Sequence, residues 1–439
     1  MIKKGVDLML TNEMMRERDL KHIWHPCSQM KDYETLPFIP VKSGKGAYLT
    51  DFDGNSYLDA ISSWWVNLFG HSNPYINKKI KEQLETLEHV IFAGFTHESG
   101  VRLAERLVAL TPKKLQKIFF ADNGSSAIEI ALKMSFQYYK NQGEVRDIFI
   151  SLENSYHGET MGALAVGDVA LYKEIYSEIL IKTIQAKSPA LVSEDEALDS
   201  MEMLFRKHDK KISAVVIEPL VQCAGNMAMY DASYITKLRA LCDRYGVFLI
   251  ADEIAVGFGR TGTMFACEQS GVTADFLCLS KGITGGYLPL SCVLTTDEIY
   301  SAFYCDYSEG KSFLDSHSYT GNALACAAAN ATLDIFEDEN IIEKNQEKIE
   351  YLSTLLKKFE TLPNVNEVRQ RGFISAVELK GYKADERVGL KIYKHALKEG
   401  ILLRPLGNVI YFMPPYIVTE NELEKMTQVA YEGIKSIYK

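Results

Sequence analysis

No stretch of this sequence approaches the roughly 18 consecutive apolar residues that a membrane-crossing helix needs, so no membrane span is expected. The opening "MIKKGVDLMLTNEMMRERDLKH" lacks a sustained apolar region and a small-residue cleavage site, and is expected to be an ordinary N-terminal segment rather than a signal peptide. Paired metal-ligand spacings are missing. None of the eight cysteines (Cys27, Cys223, Cys242, Cys267, Cys278, Cys292, Cys305 and Cys326) stands in a CxxC pair, and no HExxH occurs. No metal site is therefore expected, and most of these thiols read as buried residues in a reducing cytoplasm. The glycine fingerprints GxGxxG and GxxxxGK[ST] are absent, which removes the main support for a dinucleotide or P-loop nucleotide site. Positive charge is also in deficit. A net charge of −10 argues against nucleic acid or an anionic membrane as partner. Repeats and low-complexity linkers are lacking too.

What is there is an ordinary soluble composition, 47% hydrophobic and 24% charged over 439 residues, enough for one large domain and a smaller one. "KIFFAD" (117–122), "DIFIS" (147–151), "SAVVIEP" (213–219), "VFLIADE" (247–253), "DFLCLS" (275–280) and "LSCVLT" (290–295) are predicted as buried strands. Helical patterns such as 126–140 and 232–246 lie between several of them. Buried strands alternating with helices imply an α/β fold, a mostly parallel central sheet covered on both faces. The flanks differ. "AYLTDFDGNSYLDA" predicts a hairpin turning at Asp53-Gly54, and the chain beyond about 331 mixes helices with short strands. The expected organisation is an N-terminal segment (1–60), a large domain (61–330) and a C-terminal small domain (331–439), the two flanks forming one α+β unit.

In such sheets ligands bind at the carboxyl ends of the strands. After the first strand comes Asn123-Gly124-Ser125-Ser126 and a helix, which is either a simple N-cap or an anion site. Asp252 ends another strand ahead of the glycine-rich "IAVGFGRTG"; such a carboxylate is either a cap or a ligand group. Tyr156 and His157 follow a third. Tyr156 could stack on a flat cofactor or fill the core, and a lone His157 is more commonly structural. Lys281 is the anomaly. It follows an apolar run and is held against a glycine-rich turn, where an ammonium is costly to desolvate. A buried amine of lowered pKa is, however, the group that condenses with an aldehyde and then shuttles protons. With an acid for a pyridinium nitrogen, a helix N-terminus for phosphate and a stacking aromatic, the ordered set describes a pyridoxal phosphate site.

The motifs "IADEIAVGFGRTG" (250–262) and "SKGITGG" (280–286) make the sequence resemble the class III, fold-type I pyridoxal phosphate aminotransferases. "IWHPCSQM" (23–30), "ISSWWVNLFGH" (61–71), "NSYHGET" (154–160), "HSYTGN" (317–322) and "RPLGNVIYFMPPY" (404–416) are similar to the branch acting on 8-amino-7-oxononanoate in biotin synthesis. That resemblance covers nearly the whole chain. It implies pyridoxal 5'-phosphate held by Gly124, Ser125, Tyr156, Asp252 and Lys281, with His317 and Ser318 reaching across from the partner of a homodimer. Lys281, Asp252 and Tyr156 would be catalytic, with Tyr156 and Lys281 also touching substrate. Trp64 would line the keto-acid pocket, Arg404 would bind its carboxylate, and Arg260 and Ser316 would contact substrate. Glu218 could be structural or could orient pocket groups.

The implied reaction is ping-pong transamination of 8-amino-7-oxononanoate to 7,8-diaminononanoate in the cytoplasm. Adenosylmethionine is the expected donor, on the strength of Trp64 in "SSWW". Lysine is the alternative, because Cys27 stands where adenosylmethionine users carry tyrosine. Other readings are an ω-aminotransferase for acetylornithine, 4-aminobutyrate or a diamine, a non-catalytic α/β binding protein, and a dinucleotide-dependent oxidoreductase.

Overall fold

The computed structural model describes residues 10–36 and 38–438; residues 1–9, part of the stretch bearing on a signal peptide, lie outside it. Its centre is a seven-stranded sheet. The strands are β1 (Leu115–Ala121), β2 (Ile148–Leu152), β3 (Ile184–Ala186), β4 (Ile212–Ile217), β5 (Phe248–Asp252), β6 (Phe276–Leu279) and β7 (Ser291–Thr296), in spatial order β1-β7-β6-β5-β4-β2-β3. The pairs β6–β5, β5–β4, β4–β2 and β2–β3 are parallel, whereas β7 runs antiparallel to both β6 and β1.

The apolar runs form strands because both faces are covered. Val215, Ile217, Leu249, Ala251, Leu277 and Leu279 join one buried cluster, while the alternating Ala214, Val216, Ile250, Phe276 and Cys278 join the other. The second cluster is closed by Ala127, Ile128, Ala131 and Met134 on the helix Gly124–Asn141. Six of the cysteines are buried free thiols; Cys27 is exposed and Cys305 half-buried.

The two flanks meet in one small sheet. Strands Tyr48–Asp51 and Ser56–Asp59 form the hairpin, and Ile401–Leu402 pairs parallel to Leu58 and Asp59. A separate antiparallel sheet joins Val365–Arg371, Ile374–Leu379 and Val409–Phe412. The expected boundary at residue 330 falls inside one continuous helix, Ala323–Glu339, which ends at left-handed Asn340 (φ 48°). No helix among the described residues is long and apolar enough to cross a membrane.

Candidate active site

The strand ends converge on a cavity of about 410 Å³ lined by Asn123, Gly124 and Ser125 after β1, Tyr156, His157 and Gly158 after β2, and Glu218 after β4. Asp252 of β5 and Lys281 after β6 complete the inner wall. Five residues expected in the site (Gly124, Ser125, Tyr156, Asp252, Lys281), together with Glu218, whose role the sequence left open, are thus brought together from five strand ends.

Lys281 is half-buried, its amine open to the cavity and enclosed by protein around it. Burial holds its pKa below that of an ordinary lysine, against the opposing pull of Asp252, Cys223 and Glu218. Its ammonium stands 5.2 Å from the ring centre of Trp65. Asp252 is 5% exposed. One of its oxygens accepts from the Ile254 N–H (3.1 Å) and the other lies 2.7 Å from His157 Nδ1. His157 is therefore no idle core histidine: it backs the carboxylate, and its buried Nε2 has no protein partner.

Glu218 accepts from the N–H groups of Tyr156 and Cys223, each at 3.0 Å. Burial pushes its pKa up to about 7, with Asp252 adding to the rise and His157 opposing it. A carboxyl whose pKa is higher folded than unfolded favours the fold while protonated. Its contribution is complete below about pH 4.5 and is lost as pH rises through about 7. Glu218→Gln is expected to flatten that loss in thermal melts between pH 5 and 8, by up to about a few kcal/mol. A melt profile identical to that of the parent would exclude the buried acid as its source.

The end of the cavity at Gly124 and Gly158 is packed too tightly for side chains. A Cβ on Gly124 would lie 2.9 Å from Ile254 Cγ2, and one on Gly158 (φ 129°) would lie 2.0 Å from Ser125 Oγ. Asn123 caps the Gly124–Asn141 helix through the Ser126 N–H (3.1 Å), leaving a helix N-terminus at the cavity. Tyr156 is half-buried, donates its hydroxyl to Glu159 (2.9 Å) and meets Tyr172 edge-on at 5.4 Å. Tyr172, in the short helix Ala170–Lys173, belongs to no sequence motif that would have marked it.

The other expected residues lie outside this inner wall. Trp65 lines the cavity, and Trp64 is 39% exposed and lies against the Arg404 guanidinium, which stands 4.5 Å from its ring centre. Arg404 also donates to the Cys27 carbonyl (3.0 Å). Arg260 is 1% exposed and donates to the carbonyls of Pro414 (2.7 Å), Asn67 (3.1 Å) and Trp65 (3.5 Å). Its terminal N–H groups are thus held by backbone, its buried Nε has no protein partner, and it is not among the residues that line the cavity. His317 pairs with Asp122 (3.1 Å) beside the cavity, while Ser316 and Ser318 are exposed outside it.

The split between the two tryptophans has a backbone cause. Ser62, Ser63, Trp64 and Trp65 all have positive φ (50°, 47°, 76° and 73°), a left-handed turn of four non-glycine residues. Each is disfavoured by roughly 1–2 kcal/mol relative to the right-handed form. The turn points the two indoles to opposite sides.

The family model for aminotransferase class-III matches residues 29–432. A Helicobacter pylori protein named adenosylmethionine-8-amino-7-oxononanoate aminotransferase is 51% identical over 94% of this chain and 96% of its own. The crystal structure of the enzyme of that name from Methanocaldococcus jannaschii superposes with a TM-score of 0.94 at 40% identity, covering 97% of this chain and 99% of that one. A PLP-bound amine transaminase from an uncultivated Pseudomonas species gives 0.90 at 31% identity, covering 95% and 99%.

Proposed function

This chain belongs to the class-III aminotransferases, and from that premise we propose that it transfers an amino group to 8-amino-7-oxononanoate, forming 7,8-diaminononanoate, with adenosylmethionine as donor. Transamination rests on one observation: the Lys281 amine opens into the same cavity as the His157-backed Asp252 carboxylate. The choice of substrates follows the names of the near-full-length relatives.

Enzymes of this family are pyridoxal-phosphate-dependent, and the residues present fit that group. Lys281 offers an amine of lowered pKa for its aldehyde, Asp252 a buried acid for its ring nitrogen, and Tyr156 an aromatic face. The glycine-lined helix N-terminus at Gly124 and Ser125 offers N–H groups for its phosphate. When bound, the cofactor supplies an electron sink for the charge left by removing a C–H proton beside the transferred nitrogen. Asp252 would hold a proton on that ring nitrogen, and His157 fixes the carboxylate from behind. Lys281, whose burial favours the uncharged amine over the ammonium, would take and return the substrate proton. Tyr156 and Trp65 wall the cavity against water. Arg404, stacked on Trp64 at the outer side, presents its remaining N–H groups to the keto-acid carboxylate.

Two copies of the chain pair in this reading, with His317 and Ser318 of one completing the phosphate end of the other. The segment around them exposes Tyr304, Tyr307, Leu314 and Tyr319, an apolar cost that a second copy would remove. Sedimentation at the monomer mass would exclude this.

The test of the reaction is a half-reaction. Adenosylmethionine alone is expected to bleach the visible absorbance of the cofactor-loaded protein, and 8-amino-7-oxononanoate to restore it. In Arg404→Ala, half-restoration should require roughly 10- to 100-fold more keto acid. Bleaching by lysine alone would keep the reaction and replace the donor, as Cys27 at the donor-side motif would then explain. If neither compound bleached the protein, an ω-aminotransferase would be the better reading.

A further inference from the structure

The left-handed turn Ser62–Trp65 needs something to hold it, and the surrounding bonds converge on Asp59. This residue is fully buried, at 0% exposure. Its Oδ1 accepts from the Ser63 N–H (2.9 Å) and the Ile61 N–H (3.4 Å), and its Oδ2 accepts from the Ser63 hydroxyl (2.7 Å). His71 Nε2 lies 3.0 Å from the same Oδ2. The histidine tautomer follows from its other nitrogen. Asn67 accepts the Gly70 N–H through its amide oxygen (2.7 Å), so its NH₂ faces His71 Nδ1 (3.2 Å). Nδ1 is then the acceptor, and Nε2 carries the proton donated to Asp59.

The far side of the turn is fastened to backbone and one phenol. Ser62 Oγ donates to the Met413 carbonyl (2.7 Å), Trp65 Nε1 to the Tyr411 hydroxyl (3.1 Å), and Arg260 to the carbonyls of Trp65 and Asn67. Among the described residues Asp59 is the one carboxylate bonded to this turn, and it bonds the second residue of the turn through both backbone and side chain. A right-handed turn through the same four residues would rotate both indoles away from where they stand, Trp65 over Lys281 and Trp64 over Arg404.

We propose that Asp59 is a positioning residue for the transamination: with His71 it enforces the left-handed Ser62–Trp65 turn, and that turn sets the acceptor pocket by dividing the tryptophans between the amine and the guanidinium. The inference rests on the functional reading above for its kinetic consequence, and on geometry alone for its structural one.

The experiment uses the full-length, cofactor-loaded protein in a Trp24→Phe background, which leaves Trp64 and Trp65 as the only indoles of the three. Asp59→Asn and Asp59→Ala are expected to raise acrylamide quenching of tryptophan fluorescence about twofold as Trp65, 4% exposed, is released. KM for the amino-keto acid should rise about tenfold more than kcat falls. Adding Ser63→Gly to Asp59→Asn should recover most of both effects, because glycine adopts positive φ without strain and no longer needs the clamp. A generic loss of stability would lower the melting temperature without that rescue. Unchanged quenching in both Asp59 variants would overturn the proposal, as would an unchanged KM accompanying changed quenching. A parent protein that fails to turn over the amino-keto acid would overturn the functional reading instead, with the quenching and its rescue still deciding the clamp.

Discussion

Lys281→Ala is expected to lower turnover by at least about 10⁴-fold, because one substitution removes both the covalent anchor and the proton carrier. The fold should survive. Alanine, like lysine, carries a Cβ, so it adds no new strain at φ 46°, and it removes an amine whose charge is disfavoured by burial. The melting temperature should therefore hold or rise. A second readout is independent of turnover. Borohydride reduction should fix cofactor mass to the parent peptide carrying Lys281 and leave the variant unmodified. Near-normal activity, or equal tagging of the variant, would place the reactive amine elsewhere.

Asp252→Asn should cost about 10³-fold in kcat while leaving borohydride tagging of Lys281 intact. The amide has the shape of the carboxylate but no charge to keep a proton on a ring nitrogen. At 5% exposure, that missing charge cannot be replaced by solvent. The two variants thus separate attachment from electron withdrawal. A loss below about tenfold would mean that the carboxylate serves only to orient His157.

The central sheet was legible because buried parallel strands announce themselves as apolar runs, and six of its seven strands fall within two residues of the expected spans. The missing one, β3, is only Ile184–Ala186, with a glutamine in the middle, too short and too polar to stand out. Placing ligand groups at strand ends brought Gly124, Tyr156, Asp252 and Lys281 into view for the same topological reason. The outer wall was not legible. Nothing in "SSWW" suggests positive φ, since the rule that forbids it to serine and tryptophan is local, while the bonds from Asp59, Arg260 and Met413 that overrule it are not. Which tryptophan faces Lys281 and which faces Arg404 depends on the hand of that turn, so the place of Trp65 at the amine was not legible. Arg260 was named only through the family resemblance, and nothing local foretells the three backbone carbonyls, each more than 150 residues away from it in sequence, that enclose it.

Those distant bonds also impose an order of assembly on the growing chain. Every strand of the central sheet has been synthesised by Thr296, so Lys281 and Asp252 can take their places while the last third of the protein is still unmade. The strand carrying Asp59 still lacks its neighbour Ile401–Leu402, and the turn lacks Tyr411 and Met413, more than 340 residues further on. A nascent chain of that length therefore has the strands that carry the amine centre but not the segments that complete the wall. The pocket closes only when the C-terminal segment folds back over the N-terminal hairpin, so its specificity is the last property the ribosome delivers.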